Sequence, residues 1–231
     1  MNLETISSEN LNKELAYLLG VYLTDGSISY TESYTFSLKA IDKDFVENTL
    51  KSFKKINSNC SANVYLQKAR DRYWPDGRVS KTQDQYCINV GFSKFGDFFK
   101  NQTNNKHHIP LIIWDASLNI KRWFIAGAMD GDGWISKTKR EYGDNIYQYR
   151  IGIGGVKEGW IYEFRQLLQK MGVKTLKTEI AIKKRKMPMV SFGINVKSFI
   201  GHGLFFTIKR KQDRLKLLRN VQRLDAAHPK G

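Results

Sequence analysis

Apolar residues recur at helical spacing in two separate parts of the chain, and the two stretches share one pattern. Residues 18–26 read LLGVYLTDG, and residues 125–133 read IAGAMDGDG. Each stretch is apolar on most positions and ends in Asp-Gly. The repeat therefore predicts two related helices, with equivalent positions Gly20 and Gly127, Asp25 and Asp132, and Gly26 and Gly133.

The bounds of these two helices follow from start and stop signals. The first helix is predicted to start near Ser8 or Asn10 and to run to Thr24. The second is predicted to start after an N-cap at Ser117 and to run to Gly131. Small residues inside both stretches weaken an isolated helix. We therefore expect the two helices to pack backbone to backbone, which would bring Asp25 and Asp132 together.

An aspartate at the C-terminal end of a helix is mildly unfavourable, by roughly 0.3–1 kcal/mol, because the free carbonyls there carry partial negative charge. Gly26 and Gly133, which follow the two acids, are expected to adopt the left-handed conformation that closes a helix. An isolated Asp-Gly pair usually marks only a turn. Two copies at matching positions instead favour a symmetric acid site, and a divalent cation would offset its charge.

Alternation of apolar and polar residues after each helix predicts antiparallel hairpins. In the first hairpin, Ile28, Tyr30 and Tyr34 are expected to face the core together with Phe36 and Leu38. Each half reads as helix, hairpin, helix, hairpin, helix, so the predicted fold class is α+β, with two pseudo-symmetric α-β-β-α-β-β-α halves packed through the repeated helices. The predicted hairpins are 27–39, 63–68 with 83–90, 134–153, and 174–182 with 189–195. The predicted division is a first half over 1–101, a linker over 102–116 and a second half over 117–231.

The net charge of the chain indicates which class of partner it binds. The 231 residues include 38 Lys and Arg against 22 Asp and Glu, which gives a net charge of +16. This imbalance favours a polyanion, and nucleic acid in particular. No apolar run is long enough to span a membrane, and the polar N-terminus does not resemble a secretory signal. Cys60 and Cys87 fit reduced core thiols. We expect a soluble intracellular protein without a membrane partner, in a bacterial or phage-infected cytoplasm or an organelle.

The polar faces of the four hairpins supply the candidate nucleic-acid contacts. A two-stranded ribbon fits the B-DNA major groove, where polar and basic side chains can read base edges and hold phosphates. A solvated sheet face is the simpler explanation for any one basic run, but every hairpin displays such residues. The candidates are Ser29, Thr31, Ser33, Thr35, Ser37, Lys39, Arg70, Arg72, Arg78, Gln83, Gln85, Thr138, Arg140, Gln148, Arg150, Lys177, Lys183, Lys184, Arg185 and Lys186.

With both motifs, the hairpins and the basic faces in place, the chain resembles the LAGLIDADG homing endonucleases in their single-chain form. The resemblance implies that the motif helices form the interface between the halves and that the sheets make a saddle over the major groove. It implies a monomer that cuts both strands of double-stranded DNA across the minor groove and leaves 3′ overhangs. Asp25 and Asp132 would bind two or more divalent cations, normally Mg²⁺, with help from the carbonyls of Thr24 and Gly131.

The family also places a lysine near each metal site, before the last helix of each half. By resemblance, Lys209 is the expected lysine in the second half and Lys106 in the first. The two lysines would stabilise charge on the phosphates, and water could take the proton without a protein base. The first motif has Leu23 where the second has Asp130, and we expect this difference to affect helix packing rather than chemistry.

Other functions remain open at this point. The chain could be a non-cleaving relative, either a maturase that binds intron RNA or a sequence-specific DNA-binding protein. It could also be an unrelated basic α+β binding module in which the repeats are only a packing device. The latter predicts that the two Asp-Gly corners lie far apart.

Overall fold

A computed structural model of the chain describes residues 6–7, 9–58, 60, 62–91, 95–139, 147–156, 158–181 and 189–227. The helices are α1 (Lys13–Leu23), α2 (Lys43–Ile56), α3 (Phe95–Gln102), α4 (Leu111–Trp114), α5 (Leu118–Gly131), α6 (Glu158–Lys170), α7 (Val196–Gly201) and α8 (Lys209–Ala227). The strands are β1 (Ser27–Tyr30), β2 (Tyr34–Ala40), β3 (Tyr65–Gln67), β4 (Asp71–Tyr73), β5 (Val79–Lys81), β6 (Gln85–Gly91), β7 (Gly133–Lys139), β8 (Tyr147–Gly155), β9 (Thr175–Ala181) and β10 (Met189–Ile194).

The two parts of the chain repeat one sheet topology. The first sheet has the strand order β1-β2-β6-β3, and the second has the order β7-β8-β10-β9. All pairings within these sheets are antiparallel. The same order in both sheets confirms the predicted α+β fold with two pseudo-symmetric halves.

The motif helices have the predicted ends, but α1 starts later than expected. Asn12 caps α1, and its Oδ1 accepts a hydrogen bond of 2.8 Å from Leu15 N. The predicted start at Ser8 or Asn10 is therefore wrong by a few residues, because the side chain that caps the first backbone N–H groups of the helix is that of Asn12. Ser117 caps α5 as predicted, with Oγ accepting from Ile120 N.

One amphipathic helix covers the inner face of each sheet. Helix α2 packs on β2 and β6, and α6 packs on β8 and β10. Tyr30 departs from the predicted inward pattern, since it is 62% exposed at the tip of the first hairpin, beyond the reach of α2. The residues that carry the predicted apolar stripes are buried in this core: Phe45, Val46, Phe53, Trp160, Ile161 and Leu168.

The second hairpin of the first half is more elaborate than its sequence predicts. Beyond the paired strands β3 and β6, residues 70–78, which were expected to form a long tip, contribute to a separate two-stranded ribbon of β4 and β5. Both cysteines are buried and unpaired, as predicted. Within the described ranges, no helix has the length and apolar character that a membrane span requires.

Candidate active site

The two motif helices touch at their glycines. A Cβ atom on Gly20 would lie 2.2 Å from Phe124 O, and one on Gly127 would lie 2.2 Å from Tyr17 O. Real Cβ atoms essentially never come this close to a backbone atom. The two glycines therefore let α1 and α5 cross backbone to backbone, which confirms the predicted close packing.

This crossing brings the two candidate acids to one place. Asp25 follows the C-cap of α1, and Asp132 is the C-cap of α5. A Cβ atom on Gly131, the residue before Asp132, would lie 2.2 Å from Thr24 Oγ1 and 3.3 Å from Asp25 Oδ2. The two Asp-Gly corners are thus adjacent, and a packing device that keeps them apart is excluded.

Their electrostatic environment couples the two carboxylates. Burial raises the pKa of Asp132, and the negative charge of Asp25 raises it further, to about 6. Burial also raises the pKa of Asp25, while Lys211 and Lys106 act in the opposite direction. The Asp25 side chain is open to solvent on the cleft side. Protein crowds its other sides, and this crowding reduces the hydration of the charged form.

The glycines that follow the acids serve a purpose other than the predicted one. Neither Gly26 nor Gly133 adopts the left-handed conformation, so this expectation is wrong. A Cβ atom added to Gly26 would instead lie 2.6 Å from the ring of Phe36. A Cβ atom added to Gly133 would lie 2.4 Å from Met129 O. These positions require glycine because there is no space for a side chain where each motif helix joins its first strand.

A lysine lies at the end of each motif helix. Lys106 Nζ donates to Thr24 O at 2.7 Å, as expected if this lysine belongs to the first-half site. At the second site the lysine is Lys211, which is 6% exposed. Its Nζ donates to Asp130 O and Gly133 O at 2.6 Å each and to Met129 O at 2.9 Å, with Gly131 O at 3.4 Å.

The prediction that Lys209 occupies the second site is wrong. Its side chain is 82% exposed and forms an ion pair with Asp213 on the outside of α8. The helical register explains the difference. Leu215 and Leu218, which are both buried, lie four and seven residues after Lys211 and share its face of the helix. Lys209 lies on another face.

The burial of Lys211 has an electrostatic consequence. Loss of hydration lowers the pKa of its ammonium group, although nearby carboxylates, Asp130 first among them, raise it, and the result is about 8. The ammonium is therefore mostly charged at neutral pH, and backbone carbonyls rather than a single carboxylate hold it in place.

The donors around the acids suit a hard divalent cation that also binds phosphate. Two carboxylates and the carbonyls of Thr24 and Gly131 are all oxygen donors, as Mg²⁺ and Ca²⁺ prefer. In the described part of the chain, no group of three or more His, Cys, Asp or Glu side chains could hold a metal ion on its own. A cation here would need further ligands from water or substrate, which is the usual situation for Mg²⁺.

Asp130 is buried and hydrogen-bonded within the protein, in line with the expectation that this position affects packing. Its carboxylate is 2% exposed and accepts from Thr207 N at 3.0 Å and from Tyr17 OH at 3.0 Å. Burial raises its pKa to about 6, against the lowering effect of the Thr207 hydrogen bond. Leu23, the equivalent residue of α1, lies in the apolar core.

The candidate DNA contacts of the first half lie on exposed or partly exposed positions. Ser37 Oγ donates to Asn89 Oδ1 at 2.8 Å across strands β2 and β6, and Lys39 Nζ donates to Gln67 Oε1 at 3.1 Å. A cleft of about 430 Å³ joins this sheet face to Asp25, and Lys39, Gln85 and Lys211 are among its other lining residues. Other candidates are exposed on the hairpin tip or the ribbon, or partly exposed on β2: Ser29, Thr31, Ser33, Thr35, Arg70, Arg72, Arg78 and Gln83.

The second half is described less completely. Arg150 on β8 and Lys177 on β9 are exposed. Thr138 and Gln148 pair across β7 and β8 in the backbone register, which also pairs Ser136 with Arg150. The remaining candidates, Arg140, Lys183, Lys184, Arg185 and Lys186, lie outside the described residues.

Part of the sequence and the overall fold match known proteins. Residues 119–202 match the family described as LAGLIDADG-like domain. The fold resembles that of the homing endonuclease I-DmoI, with a TM-score of 0.52 and 15% identity over 82% of this chain and 92% of the other. It also resembles I-WcaI, solved bound to its DNA recognition sequence, with a TM-score of 0.52 and 14% identity over 90% and 88% of the chains. The chain has the LAGLIDADG homing endonuclease fold.

Two curated proteins with similar sequences are both described as uncharacterized. MJ0314 of Methanocaldococcus jannaschii is 28% identical over 166 residues, which cover 71% of this chain and 57% of MJ0314. MJ0398 of the same organism is 26% identical over 227 residues, which cover 91% of this chain and 73% of MJ0398. The aligned region thus spans little more than half of MJ0314. These two relatives add no function.

Sequence reasoning missed several residues that surround the motif helices. Lys211 could have been found, because the apolar stripe of Leu215 and Leu218 extends back to it. Asn89 and Tyr65 lie on the outer sheet face, where Asn89 Nδ2 donates to Tyr65 OH at 3.0 Å. No sequence signal identifies the stacking of the Arg72 guanidinium on Trp74 at 4.1 Å, because it depends on the unpredicted ribbon.

Proposed function

We propose that this protein is a site-specific endonuclease that hydrolyses both strands of a long double-stranded DNA target, as a homing endonuclease does. One observation carries the proposal: two aspartates meet at the crossed ends of α1 and α5, each with a lysine bound to the neighbouring carbonyls. Two aspartates and two lysines match a reaction at two phosphates. The solved relatives with this fold include I-SmaMI bound to cleaved DNA.

The chain supplies both halves of such a site, so we propose that it acts as a monomer. We propose a first half over 1–101, a linker over 102–116 and a second half over 117–231. The outer faces of the two sheets would contact the major groove on either side of the acids, and the net charge of +16 would draw the protein to the DNA backbone. Arg72 and Arg78 on the ribbon extend this surface beyond the first sheet.

The residues at the site would have distinct roles. Asp25 and Asp132 would hold divalent cations, with the carbonyls of Thr24 and Gly131 as further ligands. When bound, Mg²⁺ would lower the pKa of water and stabilise the leaving 3′ oxygen. Lys106 and Lys211 would stabilise the negative charge that develops on the two phosphates. The structures of I-DmoI with DNA contain Mn in one case and Ca in another, which supports a divalent cation of this class.

Cleavage selection from a DNA library tests this proposal. The protein is incubated with a randomised double-stranded library in Mg²⁺, in Ca²⁺ and in EDTA, and the cut ends are sequenced. We expect cuts in Mg²⁺ at one family of long sites, with 3′ overhangs that place the two nicks across the minor groove. Sites that are enriched by binding but never cut in Mg²⁺ would contradict the nuclease and indicate a DNA-binding regulator.

A further inference from the structure

The segment that leads into Lys211 is held by residues from both halves of the molecule. Thr207 N and Ile208 N donate to the buried carboxylate of Asp130, at 3.0 Å and 3.4 Å. The hydroxyl of Thr207 also donates to Asp130, and Tyr17 OH, from α1, donates to the same carboxylate at 3.0 Å. Because Asp130 O also accepts from Lys211 Nζ, one residue connects this segment with the active-site lysine.

Helix α2 of the first half holds the other side of this segment. Asn48 Nδ2 donates to Thr207 Oγ1 at 3.0 Å and lies 3.3 Å from Thr207 O. Asp44 accepts from Lys209 N, and Asp42 forms a two-point ion pair with Arg210 at 3.0 and 2.8 Å. The start of α8 is therefore docked on the first half through the N-cap and the first two turns of α2.

The lysine of the other site, Lys106, lies in a different local environment. The backbone N–H of Lys106 donates to Thr103 Oγ1 at 3.1 Å, a contact within its own loop. The position equivalent to Asp130 is Leu23, whose side chain cannot accept a hydrogen bond. Both lysines thus donate to carbonyls at the end of a motif helix, but the buried carboxylate of Asp130 is present only at the second site.

We propose that Asn48, acting through Thr207, is a positioning residue for Lys211, so that the first half sets the geometry of the second active site. Lys211 lies one helical turn after Thr207, so a shift of this segment would move its ammonium away from the carbonyls of Asp130 and Gly133. A displacement of about 1 Å in a catalytic group can reduce a rate by about 100-fold. This inference rests on the proposed function, and it predicts an effect on only one of the two strands.

Strand-resolved kinetics of Asn48→Ala test the proposal, with Ser52→Ala as the matched control. Ser52 lies one turn further on α2 and beside the same small cavity, but its hydroxyl donates to Asn48 O within the helix and does not contact Thr207. Lys211→Met identifies the strand that depends on this lysine. Thr207→Val repeats the test from the other side of the bond.

We expect Asn48→Ala to cut the Lys211-dependent strand at least tenfold more slowly, with kcat reduced and KM within twofold of the wild-type value. Nicked circles should accumulate, and Ser52→Ala should behave as wild type. Equal slowing of both strands, or no slowing, would overturn the proposal. A change confined to KM would also overturn it, because it would indicate a role in DNA binding.

A second readout does not need activity. In the DNA-free protein, Asn48→Ala should speed amide hydrogen exchange at Thr207–Lys211 and acetylation of Lys211 by about tenfold, with no change at Lys106. Unchanged exchange and acetylation would refute the positioning role even in an active enzyme. If these rates rise while the wild-type protein cuts no DNA, the positioning role stands and the proposed nuclease function fails.

Discussion

Replacing Gly20 by alanine tests the helix crossing on which the site depends. The added Cβ atom would lie 2.2 Å from Phe124 O and 2.7 Å from Ala128 N, where ordinary contact begins at 3.4 Å. Both neighbours are backbone atoms of α5, so neither can rotate away. A packed interior has no free space that could absorb this overlap. The two helices must therefore separate by about 1 Å.

The magnitude follows from known costs of overpacking. Added methyl groups in packed interiors usually cost about 1–3 kcal/mol, and two rigid backbones place this substitution near about 3 kcal/mol. For a chain of this size, that loss lowers Tm by about 6–12 °C. A displacement of about 1 Å between the acids should also slow cleavage by about 100-fold.

Thermal unfolding and plasmid cleavage measure both effects. Gly201→Ala is the matched control, because Gly201 is helical, is not left-handed and has nothing within 4 Å of an added Cβ. It should leave Tm unchanged or slightly raised, since alanine favours a helix more than glycine does. A Gly20→Ala protein with the Tm and cleavage rate of the wild type would refute the close crossing.

Because burial and Asp25 raise the pKa of Asp132 to about 6, the protonated form persists at a pH where an ordinary aspartate has ionised. The cleavage rate should fall about tenfold per pH unit below this value and recover partly with more Mg²⁺, since cations compete with protons for the carboxylate. A flat rate from pH 7 to 5 would contradict the role of Asp132 as a cation ligand. Asn105 has a φ of 52°, so Asn105→Ala should lower the unfolding free energy by about 1 kcal/mol in denaturant melts while Asn105→Gly should not. If about six to ten phosphates are contacted, DNA affinity should fall about 10³–10⁵-fold between 50 and 200 mM salt, and a flat response in filter binding would argue against the groove model.

The sequence predicts the fold well where local rules agree. The repeated motif, the caps and the alternation of apolar residues determine the motif helices and both sheets, because each element buries one face against the same core. The paired glycines also predict the helix crossing, since only a close approach explains their position. The ribbon of β4 and β5 has no apolar face to bury, so no apolar pattern in the sequence predicts it.

The site is less predictable than the fold. Asp25, Asp132 and Lys106 have the positions that motif and resemblance imply, whereas Lys209 does not. Three basic residues follow one another at 209–211, and only the direction of α8 decides which reaches the carbonyls at the end of α5. That direction depends on contacts with Asp42, Asp44 and Asn48, which are distant in sequence and cannot be inferred from it.

Strand mapping with Asp25→Asn and Asp132→Asn measures whether these two acids form one site that cuts both strands. Each variant is incubated in Mg²⁺ with the selected target, and cut positions on both strands are read at single-nucleotide resolution, alongside DNA affinity in Ca²⁺. We predict that each substitution abolishes double-strand cutting while the affinity stays within a few-fold of the wild-type value. Two variants that each still cut both strands at the wild-type rate would contradict the account.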